Sequence, residues 1–116
     1  MAVTKANETF PSGIEQVYTC DYVDTTNTAG YLYPGFLPSE VVVTNITDGT
    51  VSCWRKGMAA GSYIKHDVAA NGTTYTGTNG ITVSQDPTTA SGTGPFILMG
   101  TGIVLANKNL RVYARR

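Results

Sequence analysis

The chain has 116 residues, eight acidic and eight basic, and a formal net charge of zero. That length makes one domain, enough for a single hydrophobic core without metals or cross-links. Charged residues are only 14%, against roughly 25% in ordinary soluble chains, and a pI near 6.5 sits far below that of a typical nucleic-acid domain, so nucleic acid is not an expected partner. No window approaches the roughly 18 apolar residues of a membrane helix.

Eighteen Thr and thirteen Gly fill the space that charge leaves. A polar but uncharged surface suits extensive contacts with neighbours, because less charge must be desolvated on association. The charges are unevenly placed. Residues 1–50 hold six acids against Lys5, and residues 51–116 hold seven bases against Asp67 and Asp86, a split of −5 and +5. Either early and late strands lie side by side and neutralise each other, or complementary patches meet between subunits.

Residues 1–14 have no hydrophobic period and contain Pro11-Ser12-Gly13, so they read as an N-terminal arm, with 15–116 as a single β-domain. Met1 to Lys5 lead into a polar stretch without an apolar signal core. Export is therefore not expected, nor is use of the sequons at Asn7, Asn45 and Asn71. The first strand is expected over 15–23, with Tyr18, Cys20 and Tyr22 facing inward. Residues 24–39 read as a long loop. Pro34 and Pro38 bar it from a central strand, yet Tyr31, Leu32, Tyr33, Phe36 and Leu37 argue that part of it packs on the domain or on a partner.

The stretch 40–56 (EVVVTNITDGTVSCWRK) reads as a central hairpin. Asp48-Gly49 between two β-branched runs is the signature of a two-residue type I′ turn. Counting outward from such a turn sets Thr44 against Cys53 and Val43 against Trp54. One face then carries Val41, Val43 and Trp54, and the other Val42, Ile46, Val51 and Cys53. Apolar groups on both faces suit a hairpin covered on two sides. Trp54 opposite Val43 reads as core, not as a sugar-stacking platform.

Short strands follow over 63–68, 73–76 and 81–84, with Asn71-Gly72 as a hairpin signal and Gly77–Gly80 as a turn. Residues 85–95 read as an exposed loop rich in Thr, Ser and Gly. The apolar runs 96–99 and 101–106 bracket Gly100 and Gly102, where a bulge or bend is expected. Residues 107–109 make a turn, and 110–114 close the sheet. The total is about eight short strands, an all-β antiparallel sandwich or barrel.

Catalytic equipment is not legible. His66 and Asp67 are strand neighbours pointing to opposite faces, so they form no base–orienter pair. Cys20, Cys53 and His66 lack zinc-ligand spacing, and Gly100-Thr101-Gly102 is no dinucleotide fingerprint. No enzyme activity, metal or cofactor is expected. Cys20 and Cys53 are 33 positions apart. A disulfide between them would contribute roughly 4 kcal/mol by loop closure, but without export two reduced thiols are expected. Lys108, Arg111, Arg115 and Arg116, with Tyr113 among them, are the one basic cluster. An immunoglobulin pattern is excluded, because Trp54 does not lie between the cysteines.

The run from Val41 through W-R-K-G-M-A-A-G-S at 54–62, then N-G-I-T-V at 79–83 and L-R-V-Y-A-R at 110–115, resembles small virion proteins of tailed bacteriophages. The similarity is to head decoration or cement proteins, covers roughly residues 15–116, and includes the W-x-x-G-M-A pattern beginning at Trp54. It implies a compact β-domain that sits over capsid contacts, with the major capsid protein as partner, commonly as a homotrimer. The expected location is the virion, assembled in the host cytoplasm. Residues expected to make contacts are Phe10, Tyr31, Leu32, Tyr33, Phe36, Leu37, Arg115 and Arg116. Two other functions remain open: a carbohydrate- or host-surface-binding module using loops 24–39 and 85–95, and a minor tail or connector protein.

Overall fold

A computed structural model describes residues 3–10, 16–67, 72–85 and 94–116. The described residues form nine strands and no helix: β1 (Val3–Thr9), β2 (Val17–Asp24), β3 (Gly30–Leu32), β4 (Glu40–Asn45), β5 (Thr50–Arg55), β6 (Ser62–Asp67), β7 (Gly72–Ser84), β8 (Phe96–Met99) and β9 (Leu110–Arg115). All belong to one antiparallel sheet in the order β1-β2-β9-β4-β5-β6-β7-β8-β3, curled into a half-barrel. Every extensive strand–strand contact joins hydrogen-bonded neighbours, so the core is closed by curvature and not by a second sheet.

Period-two alternation decides which side is inside. In β2, Tyr18, Cys20, Tyr22 and Asp24 are buried and the residues between them are half-buried, as the sequence pattern predicts. Val41 and Val43 of β4, Trp54 of β5, and Val112 and Ala114 of β9 join them on the concave face. Ile103 and Val104 fill the interior from the connection between β8 and β9.

The central hairpin forms where expected, with a different turn. Asn45 pairs with Thr50, Val43 with Ser52, Val42 with Cys53 and Val41 with Trp54, so the register is two residues from the one that a type I′ turn sets. The loop is Ile46–Gly49, and only Gly49 has a positive φ, 72°. Asn45 provides the reason. Its Oδ1 accepts from the Asp48 amide at 2.9 Å, and its carbonyl accepts from the Gly49 amide at 2.8 Å. This Asx-type closure competes with the two-residue turn. Because the slip is two residues, the faces are unchanged: Val41, Val43 and Trp54 stay inside. The other face is not covered. Val42, Val51 and Cys53 are only half-buried, and Ile46, in the loop, is exposed.

Three further expectations are corrected. Residues 3–9, read as a structureless arm, form the edge strand β1 on β2; Phe10 then leans edge-on against the Tyr18 ring. Residues 77–80 are not a turn between two strands. They lie within β7, where it passes from pairing with β6 to pairing with β8. Gly80 donates to the Gly61 carbonyl, and Gly100 and Gly102 donate to the carbonyls of Gly80 and Asn79, each at 2.8 Å. Residues 101–106 are a turn and coil, not a strand, because the amides of Ile103 and Val104 both close on the Gly100 carbonyl at 3.0 Å. The expected Asn71-Gly72 turn and most of the 85–95 loop lie outside the described residues.

The charge split is resolved within the chain. All four ion pairs among the described residues join an acid from 1–50 to a base from 51–116: Asp21–Arg111, Glu40–Arg55, Glu40–Arg115 and Asp48–Lys108. Three of them span strands that the topology sets side by side. Lys108–Asp48 instead ties the β8–β9 connection to the hairpin turn.

Candidate interaction surface

The register lines up the outer face in rows. Pairings link Tyr113 to Val42, Val42 to Cys53, Cys53 to Ile64, and Ile64 to Tyr75. These five side chains cross β9, β4, β5, β6 and β7, four inter-strand steps or roughly 19 Å. Tyr75 and Tyr113 are 63% and 38% exposed, and the three aliphatic or thiol groups between them are half-buried. On one side runs a charged row, Arg115–Glu40–Arg55. On the other, Asp21 pairs with Arg111, followed by Thr44, Val51 and His66.

Glu40 lies between its two guanidiniums. Arg115 donates from Nε at 2.7 Å and Arg55 from Nε at 2.9 Å. The Arg55 bond, then the Arg115 bond, hold the Glu40 carboxyl below the usual carboxylate range. Lys56 and Arg116 follow at the same end of β5 and β9, where the amide of Lys56 meets the Ser39 carbonyl and that of Ser39 the Arg115 carbonyl. By alternation Lys56 and Arg116 turn to the opposite side of the sheet from Arg55 and Arg115, so on the outer face two guanidiniums stand against one carboxylate.

The residues expected to make contacts do not form one surface. Leu32 and Phe36 are core, 0% and 4% exposed, so the domain itself covers them. Their stretch alternates: 30, 32, 34, 36 and 38 point in, and 35 and 37 point out. Phe36, Leu37 and Arg116 line one cavity of about 400 Å³ with Lys56, Ser39 and Gln16. Tyr31 and Tyr33, stacked with centroids 6.4 Å apart, line another of about 460 Å³ at the seam between β1 and β3, with Lys5 and Tyr22. Phe10, 55% exposed, belongs to neither.

Sequence reasoning missed Tyr75, and named Tyr113 only as the aromatic of the basic cluster. The signal for the row was present, since Val42 and Cys53 already marked a second apolar face on the hairpin. The basic cluster is not a free patch: Lys108, Arg111 and Arg115 each meet a carboxylate, and Arg116 meets Gln16 at 2.8 Å. His66 is exposed with Nδ1 2.9 Å from the Thr73 hydroxyl. No group of three metal-ligating side chains occurs among the described residues.

The two cysteines cannot join. Cys20 lies on the concave face in line with Ser52, and Cys53 lies on the outer face three strands away. Three steps are roughly 14 Å, beyond the roughly 7 Å limit of a disulfide. Burial raises the pKa of both thiols.

No known protein family, curated protein or solved structure matches this chain.

Proposed function

We propose that the chain is a structural virion protein of the bacteriophage head, binding the assembled capsid as a decoration or cement protein. The observation that carries this reading is the row Tyr113–Val42–Cys53–Ile64–Tyr75. A single curled sheet buries its concave side on itself and leaves an apolar line on its outer side, which association with a protein surface would cover. Buried Trp54 also fits a structural role. The mechanism needs no chemistry. A protein that binds the assembled shell and not its separated subunits stabilises the shell by mass action, about 2.7 kcal/mol per site at a hundred times Kd. The trimer rests on the resemblance alone, because Leu32 and Phe36 no longer call for a neighbour to cover them.

Purified chain mixed with heads prepared without it should sediment with them and raise their disassembly temperature. Chain left wholly in the supernatant contradicts the reading. One observation favours the carbohydrate alternative: the stacked Tyr31 and Tyr33 beside Lys5 in the seam cavity. Glycan-array binding that is lost in Tyr33→Ala, with no sedimentation on heads, would establish it instead.

A further inference from the structure

The geometry points to a saccharide-binding site in the seam cavity between β1 and β3, taking a sugar that carries a carboxylate. The site goes beyond the head-protein reading and does not depend on it. The two edges of the sheet, β1 and β3, meet at this cavity. Its volume of about 460 Å³ falls within the roughly 300–1,000 Å³ of small-ligand sites, which combine apolar walls with a few convergent polar groups. Here Val3, Ala29, Tyr31 and Tyr33 form the walls. The two tyrosine rings lie within 14° of parallel, and Phe96 braces the Tyr31 ring edge-on at 5.4 Å between centroids. Aromatic faces held in this way present a flat, electron-rich surface to the C–H groups on one face of a sugar ring.

Tyr22 and Lys5 supply the polar groups. Tyr22 is 1% exposed yet lines the cavity, and its hydroxyl makes no hydrogen bond to a described residue. Gly30 leaves it room, since a Cβ there would collide with that oxygen. Burial, then Asp24, pushes the Tyr22 pKa up. The hydroxyl therefore stays protonated, and both donates and accepts as a sugar hydroxyl does. Lys5 is exposed and joins none of the four ion pairs among the described residues. No described acid lines the cavity. Asp24, two positions beyond Tyr22, is buried, and its Oδ1 accepts from the Thr26 amide and hydroxyl. The charge that the cavity itself shows is that of Lys5, which suits a carboxylate.

Two other occupants fit less well. A peptide strand added between the edges would have to displace the Tyr22 hydroxyl from beside the Gly30 backbone. A nucleotide would stack on the same rings, but its phosphate would meet a single cation.

The test screens the purified chain on an array of neutral, uronic-acid and sialylated glycans. The best acidic ligand and its neutral parent are then titrated by calorimetry into the parent chain and the Tyr22→Phe, Tyr33→Ala and Lys5→Gln variants. The acidic sugar should bind about tenfold more tightly than its neutral parent, a preference that Lys5→Gln and added salt remove. Tyr22→Phe should weaken binding by about tenfold with an unchanged urea midpoint, because its hydroxyl has no bond within the chain to lose. Tyr33→Ala should weaken binding further. No array binding, or binding that all three variants leave unchanged, overturns the site. Equal affinity for the acidic sugar and its neutral parent overturns the acidic class, and tighter binding of adenosine monophosphate than of any sugar overturns the saccharide. Sedimentation on heads is scored separately: a chain that sediments but binds no sugar keeps the head-protein reading and loses this site, and a chain that binds sugar without sedimenting does the reverse.

Discussion

Arg115 and Glu40, 75 positions apart in sequence, are joined by a 2.7 Å hydrogen bond across the β4–β9 ladder. The bond places the last strand of the chain beside the first strand of the central hairpin. Arg55 closes on the same carboxylate from the other side, so one acid ties three adjacent strands at the end where the basic residues gather.

Acid should loosen this tie. Arg55 and Arg115 depress the Glu40 pKa, and Arg111 with Asn7 depresses that of Asp21. A depressed folded pKa means stability that is present above the unfolded value, near 4.3 for Glu and 3.9 for Asp, and lost as pH falls through the folded value. Urea unfolding should therefore show midpoints that fall as pH drops from about 5 to 2. In Glu40→Gln the fall should be shallower; an equally steep fall would remove Glu40 from the explanation.

Trp54 lies 7% exposed on the concave face, and its Nε1 is buried without a hydrogen-bond partner among the described residues. Trp54→Ala should cost about 3–5 kcal/mol by leaving a cavity. Trp54→Phe should cost about 1–2 kcal/mol, because there is no Nε1 bond to lose. Denaturant midpoints measure both, and a cost for Trp54→Ala below about 1 kcal/mol would place the ring at the surface.

Much of this arrangement was legible in the sequence. Alternation in 17–24 and 41–43 marks the inward residues correctly, and the prolines at 34 and 38 keep β3 short and at the sheet edge. What local pattern could not carry was long-range. Asp-Gly is a strong turn signal, but Asn45 out-competes it with its own side chain. Val3–Thr9 has no apolar period because an edge strand can be polar on both faces. Apolar content, the basis for expecting contacts, does not distinguish Leu32 in the core from Tyr113 outside. That distinction needs the strand order.

Two glycines should respond differently to substitution. Gly49 has φ 72°, and a Cβ there would meet only open space, so Gly49→Ala should cost about 1 kcal/mol while Gly49→Asn is nearly neutral. A Cβ on Gly100 would lie 2.5 Å from the backbone of Asn79, and backbone cannot step aside. Gly100→Ala should cost about 1–3 kcal/mol, and Asn should not rescue it. Thermal unfolding of the four variants checks the pattern, which equal costs at the two positions would break.

Thiol titration should find two free cysteines per chain under denaturing, non-reducing conditions. In the native state only Cys53 should react within minutes, and Cys20 only on unfolding. A count of zero would contradict the three-strand separation of the two residues.

The most direct test of a head-bound structural role is quantitative mass spectrometry of purified virions, with heads separated from tails. The expected result is this chain in the head fraction, at a copy number comparable to that of the major shell protein. Its absence from virions, or its confinement to the tail fraction at a few copies, would contradict that role.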